Sequence, residues 1–294
     1  MRALPPALAI GLAMLTFGFS SVSAMQTATP VTTASPYSYA DIADLATIAP
    51  MAIQGRIYKV VPLKPEQAAG LKAGQARLYV EADVVGLIRG SGPLAARINY
   101  LVDLPLDAKG KPPKLKKKQP VLIFARPVAG ATAGTNSTAS VRLVAPDAQL
   151  PWDPATEAKL RAILTELVRP GAPPAITGIA NGFHVPGTLP GEGETQLFLD
   201  TRTGEPVSLT ILTAADGTRR WAAAFGEIVD GSAAVPARDT LAWYRLACGL
   251  PRTLPLAKLG GTAPEDRRKA ASDYGVVLGA LGDCTRTRTP PTGN

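Results

Sequence analysis

The sequence predicts an α+β protein that is mostly β. Three observations lead to that class. Glu192 to Val229 holds three apolar runs separated by two turn signals, Thr203-Gly204 and Asp216-Gly217. Between those turns Val207, Leu209 and Ile211 alternate with Ser208 and Thr210, the period-two pattern of a strand with one buried and one wet face. Upstream, Ala52–Val144 holds five further short apolar or alternating runs, and well-capped helical patterns close each half of the chain. The expected architecture is an N-terminal five-stranded barrel-like module, OB-like in its outline, and a C-terminal antiparallel meander covered by two helices.

The chain opens with Arg2, an apolar run over Ala7–Phe19, and Val22-Ser23-Ala24. These are the n-, h- and c-regions of a signal peptide, so 1–24 is expected to be removed after Ala24. The run is too short for a good membrane span, and no later stretch reaches the length a span needs. Residues 25–51 read as a Thr/Ala/Ser/Pro-rich leader followed by a short helix, with Ile42, Leu45 and Ile48 on one face.

Residues 52–170 form the barrel-like module. Strands are expected at Ala52–Leu63, Arg77–Arg89, Ala96–Leu104, Val121–Ala125 and Val141–Val144. In the second, Leu78, Val80, Ala82 and Val84 share a face, and then the phase flips beside Gly86, which predicts a β-bulge. A lysine-rich loop stands where an OB fold usually carries a helix. The module ends in a helix with Asp153 at its N-cap, Pro154 in its first turn and Leu160, Ile163, Leu164 and Leu167 on one stripe. Pro170-Gly171 and Pro173-Pro174 mark the boundary.

Residues 175–284 form the meander module. A strand near Ile176–Val185 precedes the meander. The DG step is a strong hairpin signal because its turn needs positive φ. Asp239 is expected to cap the first of two helices, and Thr262-x-x-Glu265 the second, on which Tyr274, Val277, Leu278 and Leu281 form the apolar stripe. Residues 285–294 read as a loose tail.

Chemistry is sparse. The single histidine, His184, would have to serve any Ser-His-Asp or Cys-His site, and no G-x-S-x-G surrounds a serine. Carboxylates gather at Glu192, Glu194, Asp200 and Glu205, but no spacing rule pairs them. Two cysteines and one histidine cannot supply a four-ligand zinc site, and no dinucleotide, P-loop or calcium motif is present, so neither metal nor cofactor is expected. Export implies that Cys248 and Cys284 form a disulfide; two buried thiols are the alternative.

One feature stands above the background. Lys109, Lys111, Lys114, Lys116, Lys117 and Lys118 fall in a single loop of a chain whose formal charge is +8. Such a run attracts polyanions by point charge, or is merely a solvated connection. It contains no aromatic residue, so base stacking would need Tyr79 or Tyr100 from neighbouring strands, and nucleic acid is not the expected partner.

The segments GETQLFLDTRTGEPVSL and RDTLAWYRLACGLP, with the Ala, Pro and Arg-rich wording around them, resemble exported proteins of alphaproteobacteria of no assigned activity. The resemblance implies export and transfers no site residue. The expectation is a periplasmic or secreted, non-enzymatic binding or envelope-assembly protein. Its basic loop would meet an anionic envelope component such as lipid head groups or acidic polysaccharide. The alternative is an envelope-directed hydrolase using carboxylates or a serine.

Overall fold

A computed structural model describes residues 35–91, 94–128, 138–226, 233–260 and 263–288. The expected signal peptide, the leader before residue 35 and Thr262 lie outside the described residues. The described residues form one compact unit.

Helix α1 (Tyr39–Ile48) is closed by a capping box in which Ser38 accepts from the Asp41 N–H and Asp41 accepts from the Ser38 N–H. Five strands then form a ring. β1 (Met51–Pro62) pairs antiparallel with β2 (Gln75–Arg89), and β2 with β3 (Arg97–Pro105). β4 (Pro120–Pro127) returns to pair with β1, and β5 (Thr138–Leu143) pairs parallel with β3 and antiparallel with β4. A three-residue β6 (Gln149–Pro151) extends the sheet beside β4; this strand is too short for periodicity to reveal.

Bulges permit the closure. Gln54 faces Gly86 while Gly55 faces Val84, leaving Val85 over beside Gly86, where the phase flip falls. A second extra residue, Ile88, lies between the partners of Ala52 and Ile53. Each insertion bends β2 and adds local twist, and the stretch Ala52–Arg56 of β1 pairs with both β2 and β4. Ile53, Leu78, Val80, Ile98, Val102, Leu122 and Ile123 are fully buried along these strands.

After α2 (Pro154–Leu167), with Asp153 accepting from the Thr156 N–H, the second sheet follows in the order β10-β9-β8-β7. Its strands are β7 (Ile176–Pro186), β8 (Gly193–Thr201), β9 (Val207–Thr213) and β10 (Arg219–Phe225). The β9–β10 turn is closed by Gly217 donating to the Ala214 carbonyl, with Gly217 at φ 83°. Leu197, Leu209 and Ile211 are buried under α3 (Leu241–Gly249) and α4 (Pro264–Leu281), of which α3 packs on β7 and α4 on β7, β8 and β10. The buried apolar side chains of the ring, the second sheet and the helices join in one contiguous cluster. No helix among the described residues is long and apolar enough to cross a membrane.

Both helix starts differ from expectation. Thr240, one residue beyond Asp239, is the N-cap of α3, its hydroxyl accepting from the Trp243 N–H at 3.2 Å. Asp239 instead adopts φ 59°, a turn conformation that Asp tolerates, and so lies outside the helix. For α4 the N-cap is Ala263, without a side-chain bond; Pro264 in the first turn sets the start.

The cysteines are bonded. Cys248, in the last turn of α3, meets Cys284, just beyond α4, with Cα atoms 5.2 Å apart. Trp243 Nε1 donates to the Leu281 carbonyl at 2.8 Å across the same junction.

The bridge delivers the following residues to α1; of the expected loose tail, residues 285–288 are described, and Arg286, Thr287 and Arg288 among them are tied down. Arg286 pairs with Asp44 at 2.6 Å and Arg288 with Asp147 at 2.9 Å. The fully buried Asp41 accepts from the Thr287 N–H at 3.0 Å, the Arg288 N–H at 2.9 Å and the Thr287 hydroxyl. Composition misleads because the partners are remote in sequence: Asp41 and Asp44 on α1 lie more than 240 residues away, and Asp147 lies 141 away. Burial pushes the Asp41 carboxyl up, but the hydrogen bonds from Thr287, Arg288 and Ser38 outweigh it, and the net shift is downward. A depressed folded-state value adds stability that is complete above the unfolded value of about 3.9 and is lost as pH falls through the folded value. Asp41→Asn should therefore lower stability by about 2 kcal/mol at neutral pH and flatten the acid limb of a pH–Tm curve below about pH 4. An unchanged acid limb would remove Asp41 from the acid response.

Candidate functional site

The lysine loop connects β3 to β4, and all six of its lysines are exposed. Its backbone is more fixed than a self-repelling run would suggest. Asp107 accepts from the N–H groups of Lys109 and Lys111 at 2.9 and 2.8 Å, and Gln119 from that of Lys116 at 3.0 Å. The Lys118 N–H donates to the Ile57 carbonyl at 2.7 Å, and the Ile57 N–H returns to Gln119 at 2.9 Å. Lys118 itself sits at φ 65°. Leu115 anchors the middle of the loop against the core. These ties fix the backbone while the ammonium groups stay in solvent. None of the six forms an ion pair with a carboxylate among the described residues.

The loop lies beside an aromatic residue, though neither of the two, Tyr79 and Tyr100, that base stacking would need. Tyr100 is buried inside the ring, its hydroxyl donating to Gln149 at 2.7 Å. Tyr79 is half-buried on β2 and makes no ring contact with a lysine of the loop among the described residues. The aromatic partner is Tyr58. It is the extra residue between the Ile57–Ala82 and Lys59–Glu81 pairs, and this bulge turns Tyr58 and Lys59 outward in succession. The Arg97 guanidinium lies 3.4 Å from its ring centroid and Lys117 Nζ 5.2 Å away. Arg97 is also held by Asp83 at 2.7 Å. The result is a tyrosine, 38 % exposed as a residue, with two cations close to its ring and continuous with the lysine loop. The RIYK wording around Tyr58 was a readable signal, an aromatic among basic residues. Arg97, on another strand, left none.

His184 belongs to a different arrangement. Its Nδ1 lies 2.9 Å from Thr195 Oγ1, and the Thr195 hydroxyl donates to Asp273 Oδ2 at 2.6 Å. Since one hydroxyl has one hydrogen, Nδ1 of His184 must carry a hydrogen to complete the chain. Arg219 Nε pairs with Asp273 Oδ1 at 2.9 Å. The components are right for nucleophilic catalysis, but the His184 side chain is 1 % exposed and Asp273 2 %. Gly193 seals the ring on the other side: a Cβ there would fall 2.6 Å from His184 Cε1. This is an internal polar staple between β7, β8 and α4, closed to substrate.

Comparison of the chain with protein-family models and with curated proteins finds no match. The site must therefore be read from its own chemistry. The carboxylates of the β7–β8 hairpin and beyond are engaged locally: Glu192 accepts from the Leu189 N–H, Glu194 from the Gln196 amide and Glu205 from the Thr203 hydroxyl. Asp200 is exposed on β8. Among the described residues no group of three or more His, Cys, Asp or Glu side chains could hold a metal ion.

Proposed function

We propose that this chain is an exported, non-enzymatic binding protein that presents the lysine loop and Tyr58 to an anionic component of the cell envelope, either lipid head groups or acidic polysaccharide. One observation carries the reading: six unpaired lysines on a tethered loop, continuous with a tyrosine between Arg97 and Lys117. Lysine supplies point charge that tolerates varied anions, and an exposed ring flanked by cations adds a flat apolar contact for a headgroup or sugar. The disulfide supports placement in an oxidising compartment, the periplasm or the exterior. We read the ring as OB-like, since a five-stranded, partly open barrel binds ligands through loops at its rim. It differs from that pattern in lacking a helix between β3 and β4.

The test is the variant Lys114→Gln, Lys116→Gln, Lys117→Gln, Lys118→Gln. Thermal unfolding should stay within about 1 °C of wild type, because exposed charges contribute little to the fold. Affinity for phosphatidylglycerol vesicles, or for an acidic polysaccharide, should fall at least about tenfold at low salt, given about 1 kcal/mol per lysine at an anionic surface. The deficit should shrink near 1 M salt as screening shortens to about 3 Å. Comparison of the two ligands distinguishes membrane from polysaccharide. A wild-type chain that neither ligand retains at about 10 mM salt would leave the loop a solvated connection.

A further inference from the structure

Far along the sequence from the lysine loop, three arginines line one pocket. It has a volume of about 240 Å³ and sits where α1, α3, the start of β7 and the tail meet. Arg202 comes from the turn after β8, Arg245 from α3 and Arg286 from the tail; Asp44, Thr47 and Tyr244 add polar groups to the wall.

The charges do not balance. Arg286 is neutralised by Asp44, with Nε–Oδ2 at 2.6 Å and Nη2–Oδ1 at 3.1 Å, and the remaining capacity of that carboxylate takes the Tyr244 hydroxyl at 2.7 Å. Arg245 donates Nε to the neutral Pro173 carbonyl at 3.1 Å. Neither Arg245 nor Arg202 forms an ion pair with a carboxylate among the described residues. Burial holds the Arg245 guanidinium below its ordinary range; Tyr244 opposes that shift, and the nearby charge of Arg202 adds to it. Two uncompensated guanidinium groups facing one cavity repel each other, and a bound anion relieves that repulsion.

The walls are preorganised. Cys248 lines the pocket, and its bridge to Cys284 places Arg286 two residues on from a fixed point. Arg245 is set by α3 and its bond to Pro173. Planar guanidinium groups match oxyanions through paired hydrogen bonds, which a lysine cannot do. The net charge of two calls for a dianion. The volume of about 240 Å³ leaves room for a phosphoryl group with a small substituent.

We propose that this pocket binds a phosphoryl dianion, with Arg202 and Arg245 as its direct donors and the Arg286–Asp44 pair and Tyr244 as a neutral wall. Two sources share that chemistry, a soluble phosphate ester and a lipid phosphomonoester headgroup. The proposal is independent of the lysine loop, which contributes no residue to the pocket.

The intact chain should be titrated with inorganic phosphate, glycerol 3-phosphate, succinate and vesicles containing phosphatidic acid, at matched ionic strength. Saturable binding of phosphate or glycerol 3-phosphate, weakened about tenfold or more by Arg202→Gln, is the expected result for a soluble ester. Arg202 is exposed, so that variant should fold; Arg245→Gln should show the same loss, with circular dichroism as a folding control. Binding only to phosphatidic acid vesicles, lost in Arg202→Gln and kept in the quadruple lysine variant, identifies the lipid headgroup. No saturable binding of any phosphoryl probe to about 10 mM, binding unaffected by Arg202→Gln, or succinate bound as tightly as phosphate would each overturn the proposal.

Discussion

Asp273→Ala is expected to lower stability by about 3 kcal/mol and Tm by roughly 6–12 °C. Asp273 is 2 % exposed and joins three groups: Arg219 through Oδ1, the Thr195 hydroxyl through Oδ2, and through that hydroxyl His184. Its removal leaves Thr195, fully buried, without its acceptor, and His184 behind it. A buried polar group left alone keeps its desolvation penalty, which exceeds the modest net value of the bond itself. Arg219 is 35 % exposed and can turn to water, which holds the loss toward the lower end of the range for a broken buried pair. Asp273→Asn retains one acceptor and should lose about half as much. Gly193→Ala should destabilise the same centre from the opposite side, because its Cβ would overlap the His184 ring. Urea melts of the three variants measure this directly. An Asp273→Ala chain within about 0.5 kcal/mol of wild type would show that apolar packing alone seats α4.

Loss of the disulfide is the second large effect. The bond spans 36 residues, and the loop-closure entropy it removes from the unfolded chain corresponds to about 3–4 kcal/mol. The Cys248→Ser, Cys284→Ser double variant should melt about 6–16 °C lower, and dithiothreitol should lower the wild type to match. The loss should extend to the tail, since Cys284 leads directly into the Arg286, Thr287 and Arg288 contacts with α1 and Asp147. Hydrogen exchange at the Thr287 and Arg288 amides should accordingly speed up in the double variant. Indifference of the melting curve to reductant, or two thiols alkylating in the native non-reduced chain, would contradict the bridge.

The sequence by itself determined the elements whose causes are local. The alternation of Val207, Leu209 and Ile211, the DG turn at Asp216-Gly217, the Asp153-Pro154 helix start and the phase flip beside Gly86 each depend on residues within a few positions of one another. Their physics is backbone geometry and side-chain period, both legible in one dimension. The six lysines were legible for the same reason, as a run.

Only the tertiary structure decided which distant groups meet. It closed β1 onto β4, set Tyr58 between Arg97 and Lys117, and enclosed His184 with Asp273. It also brought Arg202, Arg245 and Arg286 to one pocket and tied Thr287 to Asp41. Local rules placed the N-cap of α3 one residue early, at Asp239; in the folded chain Asp239 stands at φ 59° and the Thr240 hydroxyl accepts from the Trp243 N–H. Such pairings depend on register, bulge position and helix docking, which the whole core settles together, so no short window of sequence carries them.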